Sequence, residues 1–275
     1  MTLSIIWVYA IGITLAYLLG SIPFGFLIAK TRGVDIRTVG SKNIGATNVY
    51  RTLGKKLGIL TFALDFAKGM IAVTIIPWII ISNIVFSYTS LLFEGREVTV
   101  ITMQFLDYSI TPMGGPDDLG MVLAIVCSVA VIIGHSFPVW LKFKGGKGVA
   151  TGAGILIGMA PVSAIYGIIT FGIVFGLFRY VSLASMCAAI VVAVSAWMGG
   201  FIAMALGSYP TVRSSILGKL ACAGAYNFPI VVMLTILAVL VVIRHRTNIV
   251  RLLKGTENRF SFKRKSEVQK SGNPE

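Results

Sequence analysis

Charge is what this sequence is short of. Of its 275 residues only 12% are Asp, Glu, Lys or Arg, against 56% hydrophobic, and the mean hydropathy is +0.88. A soluble domain carries about 25% charged residues, so half of the usual polar coat is missing. The deficit is concentrated. No Asp, Glu, Lys or Arg occurs from 1 to 29, 119 to 141, 148 to 178, 180 to 212 or 220 to 243. Each run is long enough to cross a hydrocarbon core of ~30 Å at ~1.5 Å per residue. Five such runs exclude a water-soluble globule and predict an all-α polytopic membrane protein.

Cysteine is scarce too. Cys127, Cys187 and Cys222 each sit inside an apolar run with no pairing pattern, which excludes a disulfide framework and reads as buried free thiols. No cluster of carboxylates or histidines has ligand spacing, so neither a metal nor another cofactor is expected. Residues 1–21 lack a basic n-region and an A-x-A cleavage site, and are read as a retained first span. The formal net charge of +14 does not require nucleic acid. A polytopic chain places Lys and Arg in cytoplasmic loops, where they meet anionic lipid.

The distribution of charge sets the topology. Lys30, Arg32, Arg37, Lys42, Arg51, Lys55 and Lys56 follow the first span; Lys142, Lys144 and Lys147 follow the third; Arg244, Arg246, Arg251, Lys254 and Arg259 open the tail. The stretch 83–118 instead holds Glu94, Glu97, Asp107, Asp117 and Asp118 against Arg96, and is placed outside. With the N-terminus outside, spans at about 5–29, 57–82 and 119–140 bring the chain to the cytoplasm. The tail returns inside only if 148–178 crosses twice, turning near Pro161. Thirty-one residues cannot supply two full spans. A short, tilted or partly re-entrant helix pair is therefore expected there, buried in protein at its turn. Spans at about 183–206 and 225–243 complete seven transmembrane helices, N-terminus outside and C-terminus cytoplasmic. Gly148, Gly152, Gly154 and Gly158 offer sites of close backbone approach in the fourth helix. Residues 1–260 are read as one transmembrane domain, and 261–275 as a polar cytoplasmic tail without fixed structure.

Three polar, glycine-bearing segments, 33–51, 134–152 and 244–259, and a short one at 179–185, fall on the same side by this count. That co-location predicts a single site. In 40–51, glycines can present backbone N–H groups to an anion, Ser41, Thr47 and Asn48 add neutral donors, and Arg51 can fork onto a phosphate. Helix capping within a positive-inside loop is the alternative. The stretch 143–152 resembles a P-loop but fails as one, because Gly148 stands where Ser or Thr should hold Mg²⁺. Gly146 and Lys147, at the start of an apolar helix, still meet the positive end of its dipole. His245 and Asn248, three apart, share a face if the last helix continues. A basic cluster after a final span is otherwise a membrane-surface anchor. Asp65 and Lys68 lie within the second span and are read as an intramembrane ion pair that positions it. His135 is read as a hydrogen-bonded structural histidine.

Together these segments resemble the PlsY family, the bacterial acyl-phosphate-dependent glycerol-3-phosphate acyltransferases. The matching stretches are Gly20–Pro23, Gly33–Arg37 through Gly40–Asn48, Leu64–Gly69, Gly134–Pro138, Phe143–Thr151, Arg179–Ser185 and Arg244–Ile249, in that order. The resemblance implies a multi-pass protein of the cell inner (plasma) membrane, with a groove open to the cytoplasm. It implies transfer of a fatty acyl group from acyl phosphate to the 1-hydroxyl of glycerol 3-phosphate, releasing lysophosphatidic acid and phosphate, the first step of phospholipid synthesis. By position, Ser41, His245 and Asn248 correspond to catalytic residues. Arg51, Lys147 and Ser185 correspond to the substrate-binding set, with Thr47, Asn48 and Gly146 beside them. The long stretch 83–118, the segment 207–219 with Arg213 and Lys219, and Lys42 depart from the usual pattern.

A secondary transporter of a small phosphorylated solute is the rival reading, since it shares broken helices and a cationic site. Such folds carry internal repeats, and none is visible here. The His-x₄-Asp box of other glycerolipid acyltransferases is absent after both His135 and His245.

Overall fold

The computed structural model describes residues 2–93, 119–206 and 228–260, and what is described is α-helical. The helices are α1 (Thr2–Ser21), α2 (Phe24–Lys30), α3 (Ala46–Leu53), α4 (Lys55–Phe93), α5 (Leu119–Ser136), α6 (Val149–Met159), α7 (Pro161–Phe178), α8 (Val181–Leu206), α9 (Phe228–Arg244) and α10 (Arg246–Leu253), with a 3₁₀ turn at Val139–Leu141. The acidic stretch 94–118, the segment 207–219, Cys222 and the tail 261–275 lie outside the described residues.

Among the described residues five helices are long and apolar enough to span a membrane, or six if the bent pair α9–α10 counts as one span. The outward faces fit that solvent. On α7, Ile168 is 63% and Leu177 69% exposed, which water would penalise and lipid would not. The predicted helix pair is present, broken at Ala160–Pro161, because Pro161 at the first position of α7 starts a helix but cannot continue one. Its first member, α6, has eleven residues. At ~1.5 Å per residue it reaches only about half of the hydrocarbon thickness.

α5 is the axis of the bundle: 61% of its span is buried, against 17–33% in the other four spans. α1, α4 and α9 pack around it, and α4, α6, α7, α8 and α9 follow one another back to α5, closing a ring. Two reciprocal glycine contacts fix the closest approaches. A Cβ on Gly20 would stand 2.2 Å from the Val131 carbonyl oxygen, and one on Gly134 2.2 Å from that of Tyr17, so α1 and α5 meet backbone to backbone. Gly69 and Gly154 do the same for α4 and α6, at 2.1 Å from Thr151 O and 2.0 Å from Phe66 O. Of the glycines expected to serve this purpose in α6, Gly154 is thus the closest. Gly152 meets nothing nearer than 4.0 Å, and Gly148 is a left-handed cap at φ 80°.

At the Pro23 break after α1, the Ile22 carbonyl lies outside any helix and accepts from the Phe24 N–H at 3.1 Å. Lys68, 1% exposed, donates to it at 3.0 Å and pairs with Asp65 at 2.8 Å. His135 stands 3.6 Å from the same carboxylate. The pair read from sequence therefore ties α4 to the α1–α2 break and to α5. Removing one partner of a buried pair costs roughly 3–5 kcal/mol.

Gly154→Ala should lower thermal stability in detergent by the equivalent of ~1–3 kcal/mol, because two backbones must separate. Gly172, whose Cβ would meet nothing within 4 Å, should accept Ala without loss. A shared melting temperature for the two variants would refute this account of the α4–α6 contact.

Candidate active site

Residues 33–45 form an irregular loop between α2 and α3. Ile36, Ile44 and Val49 bury themselves against Ala29 and Leu141, a small core that pins the loop to the helices beside it. One side chain organises its polar groups. Asn48, in the first turn of α3, accepts from the Ser41 N–H at 2.9 Å and donates toward the carbonyls of Asn43, Ile36 and Val39 at 2.8, 3.1 and 3.1 Å. Its amide is spent inside the loop, so it shapes the Ser41 turn more than it faces a ligand. One turn later on α3, Arg51 reaches the cavity and donates to the Asn258 carbonyl at 3.1 Å. Burial lowers the pKa of its guanidinium, and the Glu257 carboxylate opposes that shift.

The second segment folds back on the end of α5. Gly145 N–H donates to Ser136 O at 3.1 Å and Gly146 N–H to His135 O at 3.0 Å. Lys142 and Phe143 adopt left-handed backbone at φ 51° and 61° to make the reversal. A Cβ on Gly146 would lie 2.1 Å from His135 Nε2, so only glycine lets the loop sit on that ring. Gly146 does not line the cavity. Its carbonyl accepts from Arg244, which also donates to Ser136 and Gly145. Lys147 then projects inward and donates to Asn248 Oδ1. Its pKa is lowered to about 8, first by burial and then by Arg251, Arg244 and Arg51, with Glu257 acting against them.

The third segment differs from its expectation. In place of a continuing helix, the chain bends by 55° between α9 and α10, with His245 at the bend. Both His245 and Asn248 still line the cavity. His245 Nδ1 is 2.7 Å from the Val241 carbonyl oxygen, which can only accept, so Nδ1 carries the proton and Nε2 is the acceptor. Asn248 Nδ2 donates to Glu257 Oε1 at 2.6 Å, and Ser182 Oγ donates to the same oxygen at 2.7 Å. Ser185 spends its hydroxyl hydrogen on Val181 O at 2.7 Å, leaving lone pairs for any further contact.

A cavity of about 740 Å³ gathers Ser41, Thr47, Asn48, Arg51, Lys147, Ser185, His245 and Asn248, and every sequence-selected site residue except Gly146 is therefore on its wall. Lys42 and Arg246 are not on that wall; Arg251 is. Sequence reading missed the tie made by Arg244 and the places of Ser182, Glu257 and Arg251. A basic residue at the end of an apolar span gives no local sign of carbonyls some 100 residues away, and Ser182 is one hydroxyl among many. Away from its cationic end the cavity is apolar, walled by Ala153, Leu156, Phe171, Val192, Leu234 and Leu237. Such a site suits an amphiphile with an anionic head. Among the described residues no three His, Cys, Asp or Glu side chains cluster as metal ligands.

Known proteins with this pattern agree among themselves. The family model for glycerol-3-phosphate acyltransferase matches residues 10–255. A glycerol-3-phosphate acyltransferase of Acholeplasma laidlawii is 34% identical over 98% of this chain and 100% of its own length. That of Aquifex aeolicus is 38% identical over 89% and 95%. A crystal structure of PlsY, an integral membrane glycerol 3-phosphate acyltransferase in its glycerol 3-phosphate form, superposes with a TM-score of 0.62 at 33% identity, covering 95% of this chain and 98% of that one. The lysophosphatidic acid form superposes at 0.60 with 32% identity, over 92% and 95%.

An ammonium that titrates near pH 8 holds a phosphate below that pH and releases it above. Affinity for a phosphate ester, followed by calorimetry, should therefore fall as pH rises through about 8. In Lys147→Arg that fall should move beyond pH 10 or vanish, because guanidinium does not titrate there.

Proposed function

The chain belongs to the glycerol-3-phosphate acyltransferase family, and on that premise we propose that it transfers a fatty acyl group from an acyl phosphate to the 1-hydroxyl of glycerol 3-phosphate, giving lysophosphatidic acid and inorganic phosphate. One observation carries the reading: a single cavity has Arg51 and Lys147 at one end and an apolar wall beyond them. Donor and acceptor each bring a phosphate, so two anions need neutralising, while the donor's tail needs a dry channel.

The acceptor hydroxyl attacks the acyl carbonyl carbon. A new C–O bond forms, the bond from that carbon to the phosphate oxygen breaks, and phosphate leaves with the electron pair. The hydroxyl proton passes either to His245 Nε2, which is in the acceptor state, or to a phosphate oxygen of the substrate. An acyl phosphate is a mixed anhydride with a good leaving group. Positioning and stabilisation of the departing charge by Arg51 and Lys147 therefore supply most of the acceleration, and no acyl-enzyme is needed. Ser41, set by Asn48, serves the same anion site, with Thr47 beside it. Ser185, with lone pairs to offer, suits a glycerol hydroxyl better than a phosphate oxygen.

The remaining assignments belong to the same proposal. The protein is a multi-pass membrane protein, and it resides in the inner (plasma) membrane with seven crossings, N-terminus outside, C-terminus and site cytoplasmic. Residues 1–260 form the acyltransferase domain and 261–275 a polar tail. Impermeant maleimide on intact spheroplasts should label a cysteine placed in 94–118 and spare one placed at Lys270, in a background without the native cysteines. The reverse would invert the topology.

Purified protein given palmitoyl phosphate and glycerol 3-phosphate should release phosphate only when the acceptor is present. Arg51→Ala or Lys147→Ala should lower kcat/KM by about 10²–10³. Folded wild-type protein that releases no phosphate would overturn the enzyme and bring forward transport of a phosphorylated solute.

A further inference from the structure

Residues 254–260 run back across the mouth of the site after α10. The strap is pinned: Phe260 N–H donates to Arg179 O at 2.8 Å, Asn258 O accepts from Arg51 at 3.1 Å, and the Phe260 ring lies 5.1 Å from Tyr50 and 5.4 Å from Phe175. It carries Glu257 into the cavity wall, an acidic side chain in a pocket built for anions.

On the acyl-transfer reading given above, we propose that Glu257 is a positioning residue for that reaction: it fixes the Asn248 amide so that its carbonyl oxygen faces Lys147, and it supplies the counter-charge that keeps Lys147 cationic. A carboxylate only accepts. Because Asn248 Nδ2 donates to Glu257 at 2.6 Å, Asn248 Oδ1 must turn the other way, to the Lys147 ammonium. With the carboxylate gone the amide could flip, and its NH₂ would then oppose an ammonium, donor against donor. Ser182, donating at 2.7 Å, holds the carboxylate from the α8 side. Both contacts have the short lengths of hydrogen bonds to a charged acceptor.

Electrostatics point the same way. Lys147 is faced by Arg51 from α3, Arg244 from the end of α9, His245 from the bend and Arg251 from α10, with Glu257 opposing them from the strap. Glu257 Oε2 is buried with no hydrogen-bond partner among the described residues, so its charge leans on these cations. The same arrangement argues against Glu257 as the general base, because Oε2 is buried and Oε1 already accepts from both Asn248 and Ser182. The sign follows directly. An anion beside Lys147 raises its pKa; neutralising that anion lowers it further below about 8, and the ammonium is lost at lower pH.

The test uses full-length Glu257→Gln in detergent, with kcat and KM for glycerol 3-phosphate measured from pH 6 to 9 beside wild type. The alkaline limb of kcat/KM should move about one unit acidward, raising KM roughly fivefold near pH 8, with much of the loss recovered at pH 6. Ser182→Ala, which frees one side of the carboxylate, should move the limb the same way by less. A uniform loss at every pH, or a folded Glu257→Gln with the wild-type limb, would overturn the proposal. If Glu257→Gln does not fold, Ser182→Ala decides: an unmoved limb overturns it. Inactive wild type would instead remove the acyl-transfer reading, which separates the two failures.

Discussion

One guanidinium joins the pieces of this site. Arg244, the last residue of α9, donates to the carbonyls of Ser136, Gly145 and Gly146 and lies 4.8 Å over the Phe137 ring. The loop it captures has left-handed backbone and exposes carbonyls that no helix satisfies. Ser136 O also accepts from the Gly145 N–H, but without Arg244 the Gly145 and Gly146 carbonyls would lose this donor, at a cost of about 1–3 kcal/mol each. Lys147 follows directly on the captured strand and His245 directly on Arg244. The distance between the Lys147 ammonium and the His245 ring is therefore set by a contact that is not on the cavity wall.

The buried polar groups divide into two classes by what surrounds them. Asp65, Lys68 and His135 neutralise or contact one another in the helical core, and they bind helix to helix. Arg51, Lys147 and Arg251 face a cavity with a surplus of positive charge. Asp65 and His135 border the same cavity, so the two classes are neighbours. Gly146 separates them: its Cα rests on the His135 ring, and the next residue is the cationic Lys147. Rigidity below and unbalanced charge above are both needed, because an ammonium held loosely would simply swing toward the nearest carboxylate.

Much of this was legible in the sequence, and the reasons differ by element. Apolar runs announce spans because lipid permits few alternatives, and Pro161 marks a helix break by its missing N–H. The cavity-lining segments were legible because glycine, hydroxyl and cation occur together at short range. Arg244 was not, since the positive-inside tendency explains a basic residue after a span equally well. Gly20 and Gly69 were recognisable as parts of motifs, but the carbonyls they meet belong to other helices. Asn48 looked like a ligand for phosphate and proved to be spent on its own loop, which a string of polar residues cannot distinguish. Glu257 lay within the 244–259 segment, but one acidic residue among basic ones gave no sign that it would meet Asn248 and Ser182.

The cavity changes from cationic to apolar along its length, and this has a consequence for the membrane around it. On the proposed reading, a product made there would have its head and its tail already in the arrangement a monolayer requires. It would leave sideways without turning over, and each turnover would add material to one leaflet only. A bilayer supplied by this protein would grow lopsided and curve unless some other process carried lipid across, and the geometry of one small pocket thus makes the balance of two leaflets a problem for the cell to solve elsewhere.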